Sequence, residues 1–187
     1  ATKQTMDELF EAVKSSNIKK IESILNNKKK IYGINRQDEN GETVLHNAVI
    51  RKLWTVETVK CLKLLLANPD LDLAMKNKRG NTAFHYLCKN YKANSMEPFE
   101  LFLARNIEVN VQNDYGETPM HLAVFNMSLK HTVFDILFKH NADQNIGAPF
   151  VVVCFKNSSL CLVNKKGESA LHYSVRLGRQ DLVTYFL

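Results

Sequence analysis

Residues 116–124 read GETPMHLAV, and three other segments of the chain repeat this pattern. They are GETVLHNAV at 41–49, GNTAFHYLC at 80–88 and GESALHYSV at 167–175. The first glycines of successive segments lie 39, 36 and 51 residues apart, so the pattern is an internal repeat with one enlarged unit. Four of the six histidines stand at the same place in it, five residues after the glycine, which a scattered catalytic set would not do.

The residue types of the pattern predict a tight turn followed by a helix. Glycine accepts the positive φ of such a turn, and a Ser or Thr hydroxyl two residues later caps the first N–H groups of a helix. Pro119 stands where proline is favoured, at the first helical position. A second apolar run of helical period follows each segment: 59–66, 99–103, 133–138 and 182–187. Each unit is therefore turn, helix, helix, and it must stack on its neighbours to bury its apolar faces.

One more helix pair, 6–13 and 18–25, precedes the first segment without its signature. The four segments resemble the ankyrin repeat, whose motif reads G-x-T-P-L-H and whose unit is about 33 residues long. Residues 106–110 (NIEVN) and 141–145 (NADQN) are similar to the family's G-A-D-V-N ending, with Asn in place of Gly. The resemblance covers almost the whole chain and implies an all-α ankyrin-repeat solenoid, a single domain of about five helix-turn-helix repeats joined by β-hairpins. We expect the repeats at 5–37, 38–76, 77–112, 113–163 and, incomplete, 164–187.

The chain departs from the family's length between paired helices. Extra residues near 50–55, 89–97 and 126–130 predict long, mobile loops there. The sequence also stops inside a helix without the polar outer face of a terminal repeat, so we expect a fragment of a longer protein, in which a following segment covers Val183, Phe186 and Leu187.

The largest departure is an enlarged hairpin at 146–163. Residues 149–155 and 160–163 are apolar and flank the polar stretch 156–159, which predicts two strands joined by a four-residue turn. This register places Cys154 opposite Cys161, both as thiols in a reducing compartment. Two interpretations stay open: the hairpin packs on the stack, or it stands out as an apolar finger for a partner.

The row of histidines is interpreted as structural. Equivalent positions of stacked repeats lie roughly 10 Å apart, too far for one metal ion bound at about 2 Å. The family resemblance implies that each histidine hydrogen-bonds to the Ser or Thr of its own segment and to neighbouring backbone. The structural set is Gly41, Thr43, His46, Gly80, Thr82, His85, Gly116, Thr118, His121, Gly167, Ser169 and His172. No nucleotide-binding, zinc-protease or serine-hydrolase motif is present, so we expect no catalytic residue, metal or cofactor.

The resemblance instead implies a binding surface at the hairpin tips and on the exposed face of the first helices. The tip positions are Glu39, Asn40, Glu42, Lys78, Arg79, Asn81, Asp114, Tyr115, Glu117, Lys165, Lys166 and Glu168. The helix positions are Ile50, Arg51, Lys89, Asn90, Phe125, Asn126 and Arg176. We select as partner-binding residues Arg51, Lys78, Arg79, Lys89, Tyr115, Phe125, Lys165, Lys166 and Arg176, an aromatic centre with a basic rim.

Composition narrows the remaining function classes. The net charge of +6 is concentrated in a lysine cluster at 19–30 without interleaved aromatic residues, which favours a solvated helix end over specific nucleic-acid binding. No apolar run approaches the roughly 20 residues of a membrane span, and four cysteines without a CxxC pair indicate a reducing compartment. We expect a monomeric, non-enzymatic protein-interaction module in the cytoplasm, or in a host cytoplasm if it is a bacterial or viral effector.

Two rival functions stay open. In one, the chain is the substrate-recruiting or autoinhibitory arm of a larger kinase, acyltransferase or bacterial effector enzyme. In the other, the lysine-rich first repeat binds nucleic acid or acidic lipid.

Overall fold

The structure, a computed structural model of the chain, describes residues 2–26, 33–50, 54–92, 95–126, 128–129, 131–142 and 162–186. Within these ranges it is helical and contains no strand, which confirms the all-α class. The helices are α1 (Thr2–Lys14), α2 (Ile18–Leu25), α3 (Val44–Val49), α4 (Val56–Leu66), α5 (Ala83–Asn90), α6 (Glu97–Leu103), α7 (Pro119–Phe125), α8 (His131–Ala142), α9 (Ala170–Arg176) and α10 (Gln180–Phe186).

The helices form two stacked rows, as a solenoid requires. The first helices of successive units, α1, α3, α5, α7 and α9, contact one another in chain order. The second helices α2, α4 and α6 contact one another in the same way. The rings of Phe134 on α8 and Phe186 on α10 lie 5.6 Å apart, which continues the second row. Phe186 is 3% exposed and packs against this preceding unit. The expectation that a longer protein continues with a segment covering Val183, Phe186 and Leu187 stays a prediction.

Between the two rows runs one apolar core, and its part in the third unit is aromatic. Phe84, Phe99, Phe102 and Tyr91 are all at most 2% exposed. Ring centroids lie 5.5 Å apart for Phe84 and Phe102 and 5.3 Å apart for Tyr91 and Phe99. Each such side chain contributes on the order of 2–3 kcal/mol by burial, so the third unit is the centre of the stack.

The loops between paired helices are long, as predicted, and several of their described residues are held against the core. Their mobility stays a prediction. Tyr91, just after α5, is fully buried, and its ring lies 4.7 Å from that of Trp54 in the loop before α4. The Asn126 side-chain amide donates to the carbonyls of Cys88 (3.1 Å) and Tyr91 (2.7 Å). Aromatic and amide side chains among the extra residues therefore fasten these loops to the core.

Some of the sequence predictions lie outside the described residues. They concern the enlarged hairpin up to residue 161 with Cys154 and Cys161, Arg51, the lysines at 28–30, residues 143–145 of the NADQN ending, and Leu187. Among the helices that are described, none is long and apolar enough to cross a membrane.

Candidate functional site

Four hairpin turns project from the edge of the stack, and a side chain that the sequence analysis did not single out fixes each one. We call them tip 1 (38–42), tip 2 (77–81), tip 3 (113–117) and tip 4 (164–168). In tip 3, Asn113 Oδ1 accepts the backbone N–H groups of Tyr115 (3.0 Å) and Glu117 (2.9 Å). The equivalent residue, three before the glycine, makes the same pair of bonds in the other tips: Asp38, Asn77 and Asn164. Its recurrence as Asp or Asn was the available sequence signal.

Backbone hydrogen bonds join the tips into a continuous ridge. The N–H of Lys78 donates to the Asn40 carbonyl (3.1 Å), that of Asp114 to Arg79 (3.1 Å), and that of Lys165 to Tyr115 (2.9 Å). The approach is so close that a Cβ atom at Gly116 would lie 2.6 Å from the Lys165 nitrogen. The ridge is therefore held in one conformation before any partner arrives.

Beneath the ridge, three motif histidines connect neighbouring units. In His46, His85 and His121 the Nδ1 atom faces the Thr hydroxyl of the same segment at 2.8–2.9 Å. The Nε2 atom lies 3.0, 3.1 and 3.0 Å from the carbonyl oxygens of Asn81, Glu117 and Glu168 in the next unit. Because a carbonyl only accepts, Nε2 carries the proton and donates it.

Burial keeps these rings neutral. It lowers the pKa of His46 and His121 and lowers that of His85 to about 4. His172 makes the same contact with its own segment, Ser169, at 2.8 Å, but it is exposed. In the part of the chain that the structure describes, no carbonyl of a next unit meets its Nε2 atom. The described residues also contain no cluster of three or more His, Cys, Asp or Glu side chains placed to hold a metal ion.

Most of the predicted contact residues are exposed. Tyr115 is 61% exposed and Phe125 is 37% exposed, and the cationic members Lys78, Arg79, Lys89, Lys165, Lys166 and Arg176 are also at the surface. Two predicted contact positions are wrong, because Asn81 is 7% exposed and Asn126 is 5% exposed. The first accepts from the Asn113 amide (2.9 Å), and the second holds the loop carbonyls described above, so both amides are used inside the stack.

Between tips 3 and 4 the surface forms a cleft of about 260 Å³, the tip 3–4 cleft. It is lined by Tyr115, Glu117, Asn164, Lys165, Lys166 and Tyr173. The sequence analysis missed Tyr173, whose hydroxyl donates to Glu117 (2.8 Å) and accepts from the Asn164 amide (2.8 Å). Burial, followed by the bond to Glu117, raises the pKa of Tyr173 to about 12, so the hydroxyl keeps its proton.

Tyr173 brings the helix face and the tips together. The Phe125 ring centroid lies 4.8 Å from that of Tyr173, edge to face, and the Arg176 guanidinium carbon lies 4.6 Å above the Tyr173 ring. Five of the predicted partner-binding residues, Tyr115, Phe125, Lys165, Lys166 and Arg176, thus surround one tyrosine. Lys78 and Arg79 lie apart from them on tip 2.

Comparison with known proteins defines the class. Two overlapping stretches, residues 9–92 and 56–148, match the family model for ankyrin repeats in three copies. Since these matches span most of the chain, the chain belongs to the ankyrin-repeat family. Ankyrin repeats are non-catalytic protein-interaction modules.

Individual relatives share the repeats within much longer proteins. The chain is 35% identical over 152 residues (81% of its length) to a probable serine/threonine-protein kinase of Dictyostelium discoideum. It is 30% identical over 129 residues (68%) to stress-activated protein kinase alpha of the same organism. It is also 27% identical over 161 residues (80%) to alpha-latrotoxin-Lg1a of Latrodectus geometricus. The matched regions are only 15%, 18% and 11% of these relatives' lengths.

Proposed function

We propose that this chain is a non-enzymatic module that binds another protein through its tips and the adjoining face of the first helices, as a cytoplasmic monomer without a cofactor. The observation that carries the proposal is the exposed aromatic pair Tyr115 and Phe125 beside Lys165, Lys166 and Arg176. Exposed aromatic side chains next to Arg are the residue types that dominate binding energy at protein interfaces. Because the ridge is already fixed by hydrogen bonds, its ordering adds little to the entropic cost of binding.

A pull-down from cell extract tests this proposal. The bait is the wild-type chain, compared with Tyr115→Ala/Phe125→Ala and with the control Val56→Ala, which removes an 81% exposed apolar side chain of α4. We expect wild type and control to retain the same protein and the double variant to lose it, with unchanged helical circular dichroism. Failure of every bait to retain a specific protein, or equal retention by all three, contradicts the proposal.

A second candidate is the recruiting or autoinhibitory arm of a larger kinase, and the two kinase relatives favour it. The full-length transcript that encodes the chain provides the test. If it encodes a kinase domain, a recruiting arm predicts that Tyr115→Ala/Phe125→Ala slows phosphorylation of the partner but not of an unrelated peptide. An autoinhibitory arm predicts higher basal activity when residues 1–187 are deleted. A transcript without a catalytic domain contradicts both forms of this candidate.

A further inference from the structure

The lining of the tip 3–4 cleft has more positive than negative groups, because it contains Lys165 and Lys166 but only one acid, Glu117. Glu117 accepts from Tyr173 (2.8 Å) and from the Asn113 amide (3.1 Å). Glu168 accepts from Arg176 (2.7 Å) and from the Asn164 amide (3.1 Å). By contrast, Lys165 and Lys166 are exposed, and neither side chain forms an ion pair within the described residues. Both ammonium groups therefore remain available to a ligand, although Glu117, whose two donors are neutral, keeps its negative charge in the same cleft.

Next to these lysines lies an apolar platform. Tyr115, the aromatic residue of tip 3, lines the cleft and is 61% exposed. Phe125 and the guanidinium of Arg176 both pack on the ring of Tyr173, which also lines the cleft. A ligand here meets aromatic surface and two cations within one cleft.

We propose that the tip 3–4 cleft binds a short acidic segment of a partner protein, with adjacent Asp or Glu side chains on Lys165 and Lys166 and a large apolar side chain against the exposed ring of Tyr115. This inference rests on the proposed function and gives the partner its chemistry. Carboxylates pair with exposed ammonium groups, and an apolar side chain removes the aromatic surface from water.

Charge along the ridge argues against a nucleic-acid strand at the same place. The exposed charged residues alternate in sign: Glu39 on tip 1, Lys78 and Arg79 on tip 2, Asp114 on tip 3, and Lys165 and Lys166 on tip 4. A phosphodiester backbone carries a negative charge at every nucleotide and requires a continuous basic track. A short protein segment can place its acids at the lysines of tip 4 alone, whereas a nucleic-acid strand along the ridge would also pass the exposed acids Glu39 and Asp114.

Selection from a display library of random dodecapeptides tests the inference. The targets are the wild-type chain, Lys165→Glu/Lys166→Glu, and the matched control Lys19→Glu/Lys139→Glu, which makes the same charge change at exposed lysines of α2 and α8. We expect wild type and control to enrich peptides that combine adjacent acids with a large apolar residue. Those peptides should bind the tip 4 variant at least about tenfold more weakly, equivalent to about 1.4 kcal/mol.

Several outcomes would overturn the inference. Enriched peptides without an acidic bias would do so, as would equal affinity for the tip 4 variant and wild type. Tighter binding of fluorescent oligouridine than of any peptide, lost in the tip 4 variant, would assign the cleft to RNA instead. If Lys78→Glu/Arg79→Glu weakens binding of the enriched peptides and the tip 4 variant does not, the inference fails while the proposed function stands. If the pull-down retains no partner either, the proposed function fails as well.

Discussion

Replacing His121 with Ala should destabilise the chain far more than the same replacement at His172. The two side chains occupy the same place in their segments, and both face the hydroxyl of their own Thr or Ser at 2.8 Å. Only His121 also reaches the next unit, where its Nε2–H donates to the Glu168 carbonyl at 3.0 Å. His121 is 0% exposed, whereas His172 is exposed. Comparing the two substitutions therefore separates the stability that comes from the bond between units from the stability that comes from contacts within one unit.

The magnitude follows from what each substitution removes. At both sites the loss of the contacts at the helix start costs about 1 kcal/mol. At His121 the Glu168 carbonyl also loses its donor, which costs about 1–3 kcal/mol when the group stays buried. Because His121 is fully buried, part of the imidazole volume becomes a cavity, so we expect a total of about 3 kcal/mol. For His172 we expect about 1 kcal/mol.

Urea denaturation followed by far-UV circular dichroism at neutral pH measures both losses. In thermal scans, a loss of about 3 kcal/mol lowers the midpoint by about 6–12 °C for a chain of this size. Equal losses at the two positions, or a loss below about 1 kcal/mol for His121→Ala, would refute the role of the histidines as inter-unit connectors. If the parent protein is an enzyme and the His121→Ala variant loses a chemical step at a temperature where it stays folded, the structural role of the histidine is refuted.

Three further predictions concern the same stack. Burial lowers the pKa of His85 from 6.5 to about 4, so unfolding takes up a proton between these two pH values. The free energy of unfolding should therefore be highest above about pH 6.5 and fall by up to about 1.4 kcal/mol per pH unit below it. Urea midpoints measured across this range should show a smaller fall for His85→Gln than for wild type. Val124→Ala should cost about 1–3 kcal/mol by denaturation but Val175→Ala less than about 0.5, because their exposures are 0% and 61%. Gly116→Ala should lower the melting midpoint more than Gly167→Ala: both residues have positive φ (76° and 75°), but only the first faces a backbone atom, at 2.6 Å.

Local chemistry made the helix starts predictable. Helices α3, α5, α7 and α9 begin directly after the Thr or Ser of their segments, because the hydroxyl at that position meets the first turn of the helix. The second helices were predicted less well. Helix α4 begins at Val56 rather than at 59, since Thr55 and Thr58 form a reciprocal cap that apolar periodicity does not register. Periodicity finds the buried face of a helix, and capping side chains decide where it begins.

The candidate site was predictable only in outline. The spacing of the segments identified which residues stand at the tips, but not whether a polar side chain points to solvent or into the stack. Position alone therefore predicts contact roles for Asn81 and Asn126, although their amides bond within the fold. Tyr173 was missed for the opposite reason, since the residue after each histidine varies in type and its role depends on the neighbouring unit.

The residue after the histidine does follow a rule that joins neighbouring units. Where one tip carries Glu after its glycine, the next unit carries Tyr after its histidine. Tyr86 donates to Glu42 at 3.0 Å and Tyr173 donates to Glu117 at 2.8 Å. A partly buried carboxylate needs several donors, and the tyrosine hydroxyl supplies one.

At the junction between tip 2 and the following unit, both residues of the pair differ: Asn81 stands in place of the Glu and Leu122 in place of the Tyr. The Asn81 amide oxygen accepts from the Asn113 amide (2.9 Å), so it does not need a tyrosine donor. At Glu168 the donor comes from within the same unit, where Arg176 binds it at 2.7 Å and so stays above the Tyr173 ring. The bonds that stabilise the stack therefore also position the aromatic and cationic groups of the tip 3–4 cleft. A partner that binds there meets a backbone ridge already in place, so on this side the cost of ordering the interface is confined to exposed side chains such as Lys165 and Lys166.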